Sequence, residues 1–133
     1  IGVIEKSVRK LIVSTLGNSL KAFKSSAPSA TQERLEEQIS RTLRAKPYMS
    51  YDDFNNMESR LKELTVSELS GMILKKTNWD NFEPIFKNKR ITETKFQQLR
   101  VFRNDIGHFK ESDYVQLLEG RAAIEWFNKI LKL

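Results

Sequence analysis

"LRVFRNDIGHF", residues 99–109, contains the single histidine of the chain. Phe96, Leu99, Phe102 and Ile106 recur at helical spacing, which predicts a helix running from a cap at Thr92 to about Gly107. At about 100° per residue these four fall on one broad inward side. Arg100, Asn104 and His108, spaced by four, stack along one line, and Arg103 with Gly107 forms the neighbouring line. Arg100, Arg103, Asn104, Gly107 and His108 therefore share an arc of about 140°.

That arc has chemical content. A guanidinium is a permanent cation shaped to hold a phosphate. Imidazole moves protons near neutral pH. Asn104, one turn before His108, is placed to hydrogen-bond the imidazole or a ligand, and Gly107 permits close approach of another backbone. Phosphate holder plus proton carrier suffices for one reaction that needs no metal: attack on an RNA phosphate by its own 2′-hydroxyl. The hydroxyl needs a base, the leaving 5′-oxygen an acid, and the crowded phosphorane positive charge. A plainer reading stands beside this one. Glycine followed by histidine is an ordinary helix C-terminus, where a cationic imidazole favours the helix dipole.

Outward from this stretch, helical spacing continues. Ile4, Val8, Leu11, Ile12, Leu16, Leu20 and Phe23 predict one long helix over 3–23. "SSAPSA" (25–30) is a loop, and Ser29 with Gln32 resembles a capping box for a second helix with a thin stripe at Leu35, Ile39 and Leu43. Pro47 breaks the pattern. Ser50 and Asp53 open a helix carrying Phe54, Met57, Leu61 and Leu64; Thr65 and Glu68 open another with Leu69, Met72 and Ile73. Trp79, Phe82, Ile85 and Phe86 form a short helix or an aromatic patch. Ser112 or Asp113 caps a last helix with Leu117, Leu118, Ile124, Phe127, Ile130 and Leu131 on its apolar side. No segment alternates with period two for long. The fold class is all-α, a compact bundle of five or six helices in one domain over 1–133.

Charge is unevenly placed. Of the net +6, residues 75–110 supply nine Lys/Arg against four Asp/Glu. An excess in the segment that holds the motif favours a polyanionic partner, although a lysine-rich solvated surface has the same signature. Arg100 and Lys110, with Lys95 and Arg90, are the candidate RNA-binding cations. With no cysteine there is no disulfide framework, thiolate zinc site or thiol nucleophile, and a reducing compartment fits. With one histidine and no zincin, EF-hand or P-loop pattern, no metal or other cofactor is expected. No apolar run approaches the ~20 residues of a membrane span, and the N-terminus does not resemble a signal peptide. The expectation is a cytoplasmic or nuclear domain, without a membrane partner, excised from a longer protein. Tyr48, Tyr51 and Trp79 are the aromatics available to stack on bases, or to fill core and loop edges.

"LRVFRNDIGHF", late in an all-helical domain and followed by a polar link and a last amphipathic helix, resembles the HEPN superfamily. Its mark is R-x(4–6)-H, often with Asn directly after the arginine, and Arg103, Asn104 and His108 match its shortest form. The upstream "WDNFEPIF" (79–86) looks like the corresponding region of Swt1-like HEPN domains. The resemblance implies a bundle of four or five helices that dimerises through its motif-bearing helices into one composite ribonuclease site. Arg103 would hold the phosphate, His108 transfer protons, and Asn104 orient His108 or the substrate. Cleavage would leave a cyclic phosphate and a 5′-hydroxyl. It also implies RNA, a second copy of the chain, and an antitoxin or fused domain as partners, in RNA processing, defence or toxin systems. Other members of the superfamily only bind nucleotides, RNA or proteins, so a non-catalytic docking module is the alternative. Two copies would answer a chemical difficulty, since one histidine cannot easily be base and acid on opposite sides of one phosphorus.

Overall fold

Gly17 divides the first apolar repeat. In the structure, a computed structural model that describes residues 1–105 and 113–133, the expected helix over 3–23 is two helices, α1 (Gly2–Leu16) and α2 (Leu20–Ser26). Gly17 has φ of 97°, a left-handed conformation that glycine adopts without steric cost, and its N–H closes α1 on the Val13 carbonyl at 2.9 Å. Ser19 then caps α2 by accepting the Ala22 N–H at 3.0 Å. Asn18, between them, accepts the Met57 N–H at its carbonyl and the Glu58 N–H at its side chain. The break is thus the point where a distant helix begins.

Helix α3 (Ser29–Ala45) starts at Pro28, so Ser29 is already inside it and the expected Ser29–Gln32 box does not form. Gln32 instead donates to the carbonyls of Lys24 and Ala27, at 2.9 and 2.7 Å, and closes the end of α2. The single helix expected from Ser50 is also two pieces. A 3-10 turn, Tyr51–Phe54, carries the Ser50/Asp53 box, and Asn56 caps the short α4 (Met57–Leu61). Helix α5 (Val66–Leu74) opens on the expected Thr65/Glu68 box, with both reciprocal bonds made, at 2.9 and 3.2 Å. The aromatic stretch is a helix, α6 (Lys76–Phe86), that buries Trp79, Phe82 and Phe86. Helix α7 (Lys89–Asp105) begins ahead of Thr92 because Asn88 takes the Ile91 N–H at 2.9 Å; Thr92 is a buried residue whose hydroxyl donates to the Asn88 carbonyl. Helix α8 (Tyr114–Ile130) has Asp113 at its N-cap position. The described residues thus form eight α-helices and one 3-10 turn, with no β-strand, where five or six helices were expected.

Two of the buried polar side chains, Arg60 and Asn78, tie separate elements together. Arg60 is 1% exposed. Its Nε donates to the Phe54 carbonyl at 2.6 Å, and its terminal nitrogens donate to Glu36 and the Tyr51 hydroxyl, each at 2.8 Å. Its guanidinium carbon also lies 5.3 Å from the centre of the Phe23 ring. Asn78 donates to the Ser26 and Met72 carbonyls, at 2.9 and 2.8 Å, tying the ends of α2 and α5 to α6.

Helices α7 and α8 pack antiparallel, as Phe96 on Phe127 and Phe102 on Gly120 show. A Cβ at Gly120 would lie 2.6 Å from the Phe102 Cβ and 2.3 Å from its ring. An alanine there forces the helices apart.

Two stability predictions follow from these contacts. Gly120→Ala is expected to cost about 1–3 kcal/mol by overpacking, exceeding the ~1 kcal/mol that alanine adds in a helix. Gly71→Ala, where the nearest atom is 3.9 Å away, should show only that gain. Urea unfolding of both variants checks the contrast, and a Gly120→Ala variant as stable as the parent contradicts the packing. The second concerns acid. Burial raises the pKa of Glu36, but hydrogen bonds from Arg60 and Tyr51 and the charges of Arg60 and Lys24 outweigh it and hold the carboxyl below its ordinary 4.5. A depressed carboxylate stabilises the fold fully above its unfolded pKa, and that stability is lost as pH falls through the folded value. Glu36→Gln should therefore lower stability at neutral pH and flatten its fall below about 4.5.

Candidate functional site

The end of α7 brings Arg103 and Asn104 together. Both are exposed on the last described turn, Arg103 with 52% of its side chain accessible. Gly107, His108 and Lys110 lie outside the described residues.

Arg103 lies at the boundary between the cationic arc and the inward face of α7. It follows Phe96 by seven residues, which on a helix brings it back to within about 20° of the same line. Phe96 is buried, so Arg103 continues the inward face of α7 just where that face leaves the core. There it meets α1, and its Nε forms an ion pair with Glu5 Oε1 at 2.7 Å. The Glu5 side chain is 15% exposed. The other guanidinium N–H groups have no protein partner among the described residues. A carboxylate on the Nε edge fixes a guanidinium while leaving its terminal edge for a second anion. Only a contact across the chain reveals Glu5; its place beside the buried Ile4 on the flank of the first apolar stripe was the one local sign.

Arg100, one turn earlier and half-buried, lines a shallow groove between α7 and α5, with Ser67, Ser70 and Gly71 across from it. Lys95 is half-buried on another side of α7, about 140° from Arg100. Arg90 is exposed near the start of α7, about 20 Å along the axis from Arg103. The four described cations therefore occupy several faces of one helix, and Arg100 is the one nearest to Arg103 and Asn104. Close to that end, the first turns of α8 expose Tyr114, Val115 and Leu118. Of the aromatics considered for stacking, Tyr48 is 82% exposed, Trp79 is buried and donates to Glu83, and Tyr51 is engaged with Arg60 and Glu36.

Among the described residues no three His, Cys, Asp or Glu side chains stand together to hold a metal ion, and no helix is long and apolar enough to cross a membrane. The last described turn of α7 thus presents a guanidinium paired with a carboxylate beside a primary amide. No protein-family model matches the chain, and no curated protein or solved structure matches it.

Proposed function

We propose that the chain is a HEPN-like RNA-cleaving domain, a metal-independent endoribonuclease that works as a homodimer. The observation that carries this reading is Arg103, half-exposed, held on one edge by Glu5 and open on the other, directly beside exposed Asn104. In the proposed reaction the terminal N–H groups of Arg103 bind the scissile phosphate. His108 of one copy removes the 2′-hydroxyl proton as the oxygen attacks phosphorus. His108 of the second copy protonates the departing 5′-oxygen. The products are a 2′,3′-cyclic phosphate and a 5′-hydroxyl. The guanidinium stabilises the negative charge that gathers on the phosphorane. Tyr114, Val115 and Leu118 offer the second copy an apolar surface near the site. RNA processing and defence or toxin systems are the settings in which such an activity is used, with an antitoxin or a fused domain as the further partner.

One observation favours a second reading, a non-catalytic RNA-docking or protein-docking module. The Glu5 carboxylate neutralises part of the charge that Arg103 brings to a phosphate.

Incubating the purified chain with RNA in EDTA separates the two. The nuclease reading expects cleavage with 5′-hydroxyl ends, reduced at least about a hundredfold in both Arg103→Ala and His108→Ala. Cleavage that both variants retain would rule out the site; salt-sensitive binding without product would leave the docking reading.

Glu5→Gln tests the ion pair separately. Arg103 is half-exposed and solvent screens the pair, so the change should cost no more than about 1 kcal/mol and hardly move the melting temperature. RNA affinity should rise severalfold at low salt, because a neutral partner leaves the Arg103 charge whole. Unchanged affinity at every salt concentration would show that Arg103 does not meet the phosphate.

A further inference from the structure

A second feature lies on another flank of α1. The side of α1 that carries Ser7, Lys10 and Ser14 forms a cleft of about 840 Å³ with α4, the end of α6 and the end of α8. A second depression of about 540 Å³ continues it past Trp126, and the two share Ile85, Ile130 and Lys132. Leu11, Val13, Ile85, Trp126 and Ile130 make an apolar floor, each half-buried. Lys6, Arg9, Lys10, Lys62, Lys129 and Lys132 stand around it, and Glu58 is the acid among the lining residues. Among the described residues none of these cations makes an ion pair, whereas Arg34, Arg60 and Arg103 each have a carboxylate. Unpaired cations gathered around an apolar floor define what the cleft is complementary to: an apolar stripe flanked by negative charge.

We infer that this cleft docks an acidic amphipathic helix of a partner protein. Its length fits. From Lys6 to Ser14 the cleft follows α1 for about 12 Å, close to the span of apolar anchors at i, i+3, i+4 and i+7. The lysine stems extend the apolar floor while their ammonium groups reach carboxylates at the rim. The aliphatic floor has one aromatic ring, Trp126, which is little for RNA bases that need stacking platforms. The inference is independent of the nuclease reading, because none of these residues belongs to the Arg103 site.

The test begins with selection of displayed 16-residue peptides against the whole 133-residue chain. Selected peptides are then titrated by anisotropy beside a scrambled peptide, a 20-nucleotide RNA and phosphatidylserine vesicles. The expected consensus has acidic residues around apolar anchors at helical spacing. Amide shifts on binding should map to α1 and the C-terminal half of α8. Lys10→Glu with Lys62→Glu, both exposed, should weaken binding at least about tenfold at unchanged melting temperature, and Ile130→Ser should weaken it without changing net charge. The proposal is overturned if no acidic amphipathic consensus emerges, or if the scrambled peptide binds equally. Affinity that survives the double charge reversal, and a cleft that prefers RNA or vesicles over the selected peptide, overturn it as well.

Discussion

The guanidinium of Arg60, taken out of water, dictates how the first half of the chain is arranged. A buried cation is tolerated only where its donors are met and its charge is balanced. Here Phe54 supplies a carbonyl, Tyr51 a hydroxyl, Glu36 a carboxylate and Phe23 a ring face. Those groups come from three separate elements, the 3-10 turn, α2 and α3, and they close around a cation carried by a fourth, α4. None of the partners can move without exposing an unmet charge. Tyr51 also donates to Glu36, so the hydroxyl links the cation and its counter-ion in one network. The short pieces over 51–61, which propensity alone would not sustain, are held by this network and by the caps at Ser50 and Asn56.

The second half depends on a close approach instead. Gly120 lets α8 lie against Phe102, one residue before Arg103. The same contact fixes the last turn of α7 relative to the core and so decides that Arg103 comes out beside α1. Glu5 then completes the placement. A surface ion pair of this kind does little for stability; what it supplies here is direction to a long, flexible side chain.

Local signals in the sequence carried much of this. Thr65 with Glu68 and Ser50 with Asp53 start elements where their spacing says, because a capping box needs only four consecutive residues. Ile4, Val8 and Ile12 in α1, Leu69, Met72 and Ile73 in α5, and Phe96, Leu99 and Phe102 in α7 are core, because periodicity is a property of one helix; Ile106 lies outside the described residues. Three features were not legible. Gly17 looked tolerable within a long apolar repeat, and only its positive φ shows that the chain turns there. Arg60 and Asn78 look like surface residues until partners 24 and 52 positions away close around them. Arg103 was grouped with Arg100 and Asn104 on an idealised wheel. Its seven-residue spacing from Phe96 also sets it at the edge of the inward line; what the sequence does not show is that α1 lies there with Glu5.

The placement of the two tryptophans has a practical consequence. Trp79 is buried in α6, with its indole N–H donating to Glu83. Trp126 is half-exposed in α8, stacked on Phe86 at 6.2 Å and edge-on to Phe127, and it lines the cationic cleft. The chain therefore contains its own pair of optical probes, one for the integrity of the interior and one for the cleft. A quencher in solution reaches the second before the first, so emission from an unlabelled sample separates loss of fold from events at that surface.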